Sequence, residues 1–271
     1  MRWLAPLACA VALTASSARA VEISAALDIE SSETDDSVKG VIRATVDYPF
    51  PVVGAALKEP AQWCEILILH LNVKYCRASP EVPGTRVRVI IGKKFDQPIE
   101  DAYPVDFEYR VAQASARVLQ VTLRADSGPL GTRDYLIVLD AAPAQGDRTL
   151  LRMSYSYTYG MGARLAMQAY LATIGRAKVG FTVVGTDSNG APRYIGGMRG
   201  VTERNTMRYY LAVNAFLGSL STSPASRVEK SLQDWFSAIE RYPLQLHEME
   251  RRDYLVMKRA EHARQLATIP R

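Results

Sequence analysis

Cysteine, histidine and long apolar runs are all scarce in this chain of 271 residues, and each shortage removes a class of function. The three cysteines (Cys9, Cys64, Cys76) and three histidines (His70, His247, His262) are too few and too scattered to hold a metal, because no two lie at ligand spacing. His70 sits in the apolar run ILILHLN and reads as a hydrogen-bonded structural residue; His247 and His262 fall in a charged tail and read as solvated. There is no Gly-x-Ser-x-Gly elbow and no cysteine with a plausible histidine partner, so nucleophilic catalysis has no support. Glu100-Asp101 and Asp35-Asp36 are acidic pairs in loop-like sequence, where solvated charge is the default. The glycine-rich Gly196-Gly197-Met198-Arg199-Gly200 lacks the strand–turn–helix setting of a dinucleotide site and reads as a strand bend or close backbone approach. No cofactor and no metal are therefore expected. A strong charge excess is missing too: 33 basic residues face 28 acidic ones, which gives no case for nucleic acid and at most a weak attraction to anionic lipid headgroups.

The one notable apolar run, Leu4 to Leu13, is shorter than the roughly 20 residues a membrane helix needs. With Arg2 before it and Ala18-Arg19-Ala20 after it, residues 1–20 read as a cleavable signal peptide. The expected mature protein starts at Val21, is soluble, and lies in the periplasm of a Gram-negative bacterium. Removal of the signal leaves 31 basic residues against the 28 acids, a charge of +3. It also leaves only Cys64 and Cys76. In an oxidising compartment these favour one disulfide, contributing about 2–3 kcal/mol through loop closure, over two buried thiols.

Glu30 to Ser37 (ESSETDDS) has little apolar content, so residues 21–40 read as an N-terminal arm or linker, with Val21 to Ile29 able to supply an edge strand. From Val41 the pattern becomes that of a compact domain. A short strand runs into a Pro-led helix that stops at Lys58-Glu59-Pro60, and Cys64 to Leu71 continues as a second short helix. Period-two alternation then marks strands at Thr85–Lys93, Val105–Val111, Val118–Ala125, Arg133–Leu139 and Thr149–Tyr159. Turns are read at Pro80–Gly84, Ser127–Gly131 and Ala142-Pro143, which makes the strands an antiparallel meander. Met161 to Ile174 interrupts it as a helix that is apolar nearly all round. That helix is either a lid or membrane-touching element, or a core helix buried on both sides. A hairpin around Asp187–Gly190 follows, then a helix from Glu203 to Leu220 with Thr202 as its N-cap. Residues 221–271 form a helical tail. Val228, Leu232, Trp235, Phe236 and Ile239 make one amphipathic stripe there, which either packs on the body or docks a protein partner.

The stretch Val41–Trp63, VIRATVDYPFPVVGAALKEPAQW, resembles the opening of START-like (SRPBCC, helix-grip) domains through Pro51, Val52, Leu57, Pro60 and Trp63. The resemblance covers residues 41–220 and implies an α+β fold, with a curved antiparallel sheet gripping a long C-terminal helix, here with an extra helical tail. It also implies a cavity between sheet and helix for a lipid or other hydrophobic small molecule, lined by Phe107, Tyr109, Met153, Tyr155, Tyr157, Tyr159, Met207, Tyr210 and Leu211. The tyrosines would orient a polar head, although the bland reading of the Tyr155-Tyr157-Tyr159 ladder is cross-strand packing. Non-catalytic binding or carriage is the leading expectation, a cyclase- or hydrolase-type enzyme of the same fold the alternative, and a periplasmic assembly protein using the tail a third.

Overall fold

The computed structural model describes residues 27–81, 84–173 and 178–267. The expected signal peptide, residues 1–20, lies outside them, as do residues 82 and 83 of the Pro80–Gly84 turn and Ile174 at the end of the interrupting helix.

The alternating stretches form one eight-stranded antiparallel sheet. Its strands are β1 (Asp28–Glu33), β2 (Ser37–Val46), β3 (Val73–Glu81), β4 (Gly84–Ile91), β5 (Tyr103–Ala114), β6 (Leu119–Ser127), β7 (Thr132–Ala144) and β8 (Arg148–Tyr159), in the order β1-β2-β8-β7-β6-β5-β4-β3. Strands β3 to β8 form the expected meander, and β2 closes onto the last of them. Two departures from the sequence reading concern the edges. The stretch taken for an arm or linker is instead β1, paired with β2 from Asp28↔Arg43 to Glu33↔Val38; Arg43 reaches back to Asp28 and Glu30 across that pair. The other edge strand, β3, runs into the segment read as a turn.

Two short helices, α1 (Phe50–Leu57) and α2 (Pro60–Leu67), join β2 to β3. Pro51 and Pro60 occupy first-turn positions, where a missing N–H costs nothing. The last carbonyls of α1 have no partner within the helix. The Leu57 carbonyl instead accepts from the Trp63 indole at 2.8 Å and from the Tyr109 hydroxyl at 3.2 Å. That is the physical content of the Pro-x-x-Trp stop: the tryptophan of one helix finishes the other. Cys64 of α2 is bonded to Cys76 of β3, with an S–S distance of 2.04 Å.

After β8 come α3 (Met161–Ala172), a hairpin of β9 (Val183–Thr186) and β10 (Pro192–Tyr194), and the long α4 (Gly197–Ser219). The last begins six residues before the sequence reading placed it, with Gly196 as N-cap. Thr202 lies inside the helix, its hydroxyl donating to the Met198 carbonyl. The glycine-rich run is thus a helix start rather than a strand bend, and the close backbone approach occurs at Gly200, where a Cβ would stand 2.9 Å from the Ile195 carbonyl. Helix α4 is buried nearly all round because β2 and β8 lie on one side and α5 (Pro224–Ile239) on the other. Gly40 of β2 allows the close crossing: a Cβ there would lie 2.3 Å from the Thr206 hydroxyl.

The tail is part of the body. Leu232, Trp235, Phe236 and Ile239 of the α5 stripe are buried, and the Trp235 indole donates to the Arg208 carbonyl of α4. After the short α6 (Pro243–Leu246), α7 (Arg251–Ala267) lies along edge strand β3. Its Tyr254 hydroxyl donates to the Leu69 carbonyl, Lys258 to the Val73 carbonyl, and Gln265 accepts from the Cys76 amide. Backbone groups at an open edge would otherwise invite a second chain. His262, expected in solvent, is buried with its Nε2 3.1 Å from Glu65. His247 faces Glu240 at 3.0 Å.

At the centre of this contact Glu261 bridges Lys74 (2.9 Å) and Lys258 (2.7 Å), all three inaccessible to solvent. Burial drives Lys258 down to about 8 against the pull of Glu261. An unfolded lysine titrates near 10.5, so between about pH 8 and 10 the unfolded chain holds the proton more tightly and stability rises with pH. Replacing Glu261 by Gln strands two ammonium groups in the interior. The expected loss is about 3–5 kcal/mol in chemical denaturation, and in wild type the midpoint climbs from pH 7 to 9.5. A loss below about 1 kcal/mol, the range of exposed ion pairs, would show that water reaches the triad.

Candidate functional site

Inward-facing residues of β4 to β8 meet α2 and α4 in an interior rich in tyrosine. Tyr135, Tyr155 and Tyr157 form a cluster on β7 and β8, with Tyr135 stacked on Tyr157 at 5.3 Å between centroids. Tyr209 of α4 tilts against Tyr155 at 5.7 Å and stacks on His70 at 4.8 Å. Burial pushes the hydroxyls of Tyr155, Tyr157 and Tyr209 up, beyond the usual phenol range, so all three are neutral O–H groups at any physiological pH.

Between the sheet and the helices lies a void of about 20 Å³. It is walled by Leu67 of α2, Tyr209 of α4, and sheet residues that include Phe107, Tyr135 and Tyr155. This is room for about one water molecule and not for a lipid. The expected cavity exists as a place, but aromatic rings fill it.

Of the nine residues singled out from sequence, Phe107 and Tyr155 border the void. Met153, Tyr157 and Met207 are buried in the surrounding core. Tyr109 is tied to the Leu57 carbonyl, and Tyr159 lies at the β1–β2 turn with its hydroxyl 3.2 Å from Glu33. Leu211 faces the opposite side of α4, in a shallow groove with Tyr48, Ala238 and Arg241. Tyr210, pushed up to about 12 by burial first and then by Tyr242, also belongs to that side. Two aromatic wall residues, Tyr135 and Tyr209, were not singled out, nor were the aliphatic ones. The alternation signal for β7 was blurred by apolar residues on both faces, which hid Tyr135. On α4, burial all round removes the helical stripe that would have separated Tyr209 from Tyr210.

A polar cluster adjoins the aromatic wall. Arg208, Lys94 and Lys178 converge on Glu248 at 2.7, 2.7 and 3.5 Å. Burial alone would raise the Glu248 carboxyl, but these three cations outweigh it and hold it below the usual range. Lys94 is lowered by burial and by the nearby Arg208 and Arg204, despite Glu248. His70 is lowered well below the usual range, first by burial and then by Arg208, Lys258 and Lys94, which leaves a neutral ring. Its Nδ1 accepts from the Asn72 amide, so the proton sits on Nε2. Among the described residues, no group of histidines, cysteines and carboxylates is arranged to hold a metal ion.

A larger open concavity of about 820 Å³ lies on the outer face of the sheet, between Arg86, Asp106, Glu108, Arg110 and Arg124. Its charges neutralise one another in place, most clearly where Arg88 grips Asp106 with bonds of 2.7 and 2.8 Å. It is the solvated side of the sheet.

The strand order, the helix pair between β2 and β3 and the long helix across the inner face define an α+β helix-grip fold. No family model and no curated protein matches the sequence. Solved structures similar to parts of the chain include the norcoclaurine synthase of Thalictrum flavum, at 11% identity over 62% of this chain and 88% of that one, with a TM-score of 0.35. Ara h 8.0201 is 12% identical over 55% and 92% of the two chains, with a TM-score of 0.34. The Zhui aromatase/cyclase of Streptomyces sp. R1128 is 12% identical over 79% and 95%, with a TM-score of 0.35. Likenesses this distant carry no functional conclusion.

The aromatic wall makes a direct prediction. Tyr209→Ala should enlarge the void and lower stability by about 2–4 kcal/mol in chemical denaturation, as truncations in a packed core do. A loss under about 0.5 kcal/mol would place the ring in solvent.

Proposed function

We propose that this protein binds, without transforming, a lipid or other hydrophobic small molecule between the sheet and α4. The observation that carries the reading is the aromatic wall around the residual void. Phe107, Tyr135, Tyr155 and Tyr209 converge there from three strands and a helix, in an interior otherwise closed by aliphatic side chains. Each of these rings has two side-chain torsions about which a ligand could turn it aside. A ligand replacing them would gain about 25 cal/mol for each Å² of apolar surface removed from water, less the cost of its own immobilisation.

Entry would occur beside α3. This helix turns Ala163 and Met167 toward the core, while Met161 and Leu165 stand 79% and 60% exposed. Leu130, also exposed, belongs to a short turn that α3 touches. Such a surface suits brief contact with a membrane from which a lipid is drawn. Export to the periplasm completes the proposal: it rests on the leader-like residues 1–20 and agrees with the Cys64–Cys76 bridge, since such bonds persist in oxidising compartments.

A protein partner held by the α5 stripe finds no support, because that stripe is occupied within the chain. An enzyme of the same fold would need polar groups converging on bound ligand, and the walls of the void offer tyrosine hydroxyls alone.

The test is solvent extraction of protein purified from a bacterial periplasm, followed by mass spectrometry. The expected result is a near-stoichiometric hydrophobic compound. Protein that is empty and also takes up neither fluorescent fatty acids nor sterols would overturn the proposal.

A further inference from the structure

We infer that the cluster beside the aromatic wall is a binding site for an oxyanion, a carboxylate or phosphate group. Resting on the binding function proposed above, the inference makes the ligand an amphiphile with an anionic head.

Charge balance is the first ground. Lys94, Lys178 and Arg208 share the one carboxylate of Glu248, and Arg204 lies near enough to Lys94 to lower it. Arg204 and Arg208 are 3% and 2% exposed, so much of this positive charge is held away from water. Backbone carbonyls take some of the donors: Val179 for Arg204, Leu246 for Arg208 and His247 for Lys178. Carbonyl dipoles do not cancel net charge, and like charges in a medium of reduced dielectric repel strongly. An incoming anion would relieve that repulsion.

His70 supplies a second, independent ground. It is 3% exposed, and with Nδ1 accepting from Asn72 its Nε2 carries a proton that meets no well-aligned acceptor among the described residues. The polar neighbour there is the Asn205 side chain, whose Oδ1 is already approached by Arg208. Asn205 is at best a poorly aligned acceptor for this N–H, so part of the roughly 1–3 kcal/mol that an unmet buried donor costs remains for an anionic oxygen to recover.

Position is the third ground. His70 stacks on Tyr209, and Tyr209 borders the void. Lys94 follows β4 three residues after Ile91, another residue of that wall. A head group among Lys94, Lys178 and His70 would therefore have its hydrocarbon or ring system directed at the aromatic interior. The two lysines are partly exposed, at 31% and 26% of their side chains, and form the outer rim through which such a head would enter.

The experiment compares dodecyl phosphate, laurate and dodecanol by calorimetric titration of wild type and of the double variant Lys94→Gln/Lys178→Gln. The variant keeps the buried Arg208–Glu248 pair, and its fold is checked by circular dichroism. The expected result is that one or both anionic amphiphiles bind wild type at least tenfold tighter than dodecanol. That margin should collapse in the variant while dodecanol affinity stays the same. Equal affinities for the charged and neutral chains would overturn the inference and leave hydrophobic binding standing. If no chain binds, thermal shifts with inorganic phosphate and with acetate decide the matter. Stabilisation of wild type alone would establish a site for a free oxyanion and sink the amphiphile reading. No stabilisation would overturn both.

Discussion

Glu261 holds the molecule's two halves together. It accepts from Lys74, which opens the edge strand of the sheet, and from Lys258, on the last helix. The separation between Lys74 and Glu261 is 187 residues, so the pair closes a loop that holds every element from β4 to α6. Buried ion pairs contribute little net stability compared with apolar packing, yet breaking one is costly. That asymmetry makes the triad a device for register. Helix α7 sits where one carboxylate meets two ammonium groups and where Lys258, Tyr254 and Gln265 also satisfy backbone groups of the β3 segment.

Consequences run inward from that clamp. With β3 held by α7 and by the Cys64–Cys76 bridge, α2 is fixed against the sheet, and Trp63 on α2 completes α1. Helix α4 is then confined between the sheet and the α5 layer, and Gly40 lets it come close to β2. The interior left over is small and aromatic. Its rim is cationic, because the loop after β4, the segment before β9 and the polar side of α4 all bring positive charge to Glu248. The aromatic interior and the cationic rim are thus two products of one packing arrangement.

Much of the fold was legible in the sequence, for identifiable reasons. Strands β4, β5, β6 and β8 alternate cleanly, and β7 less so, because one face is covered by helices and the other is solvated. The Pro51, Pro60 and Trp63 positions carry local geometry, which sequence records well. The failures share a different cause. Strand β1 is made of polar residues because its burial is slight, so composition looked like a linker. Strand β3 contains a buried lysine whose counter-charge lies in the last helix, and no local pattern reveals such a partner. His262 looked solvated for the same reason. At the site, Tyr155 and Phe107 were found through alternation. Tyr209 and the Lys94–Lys178–Arg208–Glu248 cluster were missed, since they assemble from three loops and a helix buried nearly all round.

Methionine methyl groups provide the sharpest test of the central claim, that a hydrophobic ligand enters between sheet and α4. Met153 and Met207 lie in the core around the aromatic wall, whereas Met161 is on the exposed face of α3 and Met249 lines a surface groove beside α7. In protein carrying ¹³C-methyl methionine, titration with a twelve-carbon amphiphile is predicted to shift the Met153 and Met207 resonances in slow exchange, with Met249 unmoved. Shifts confined to Met161 and Met249, with the two core methyls silent at saturation, would place the ligand on the surface and contradict the account.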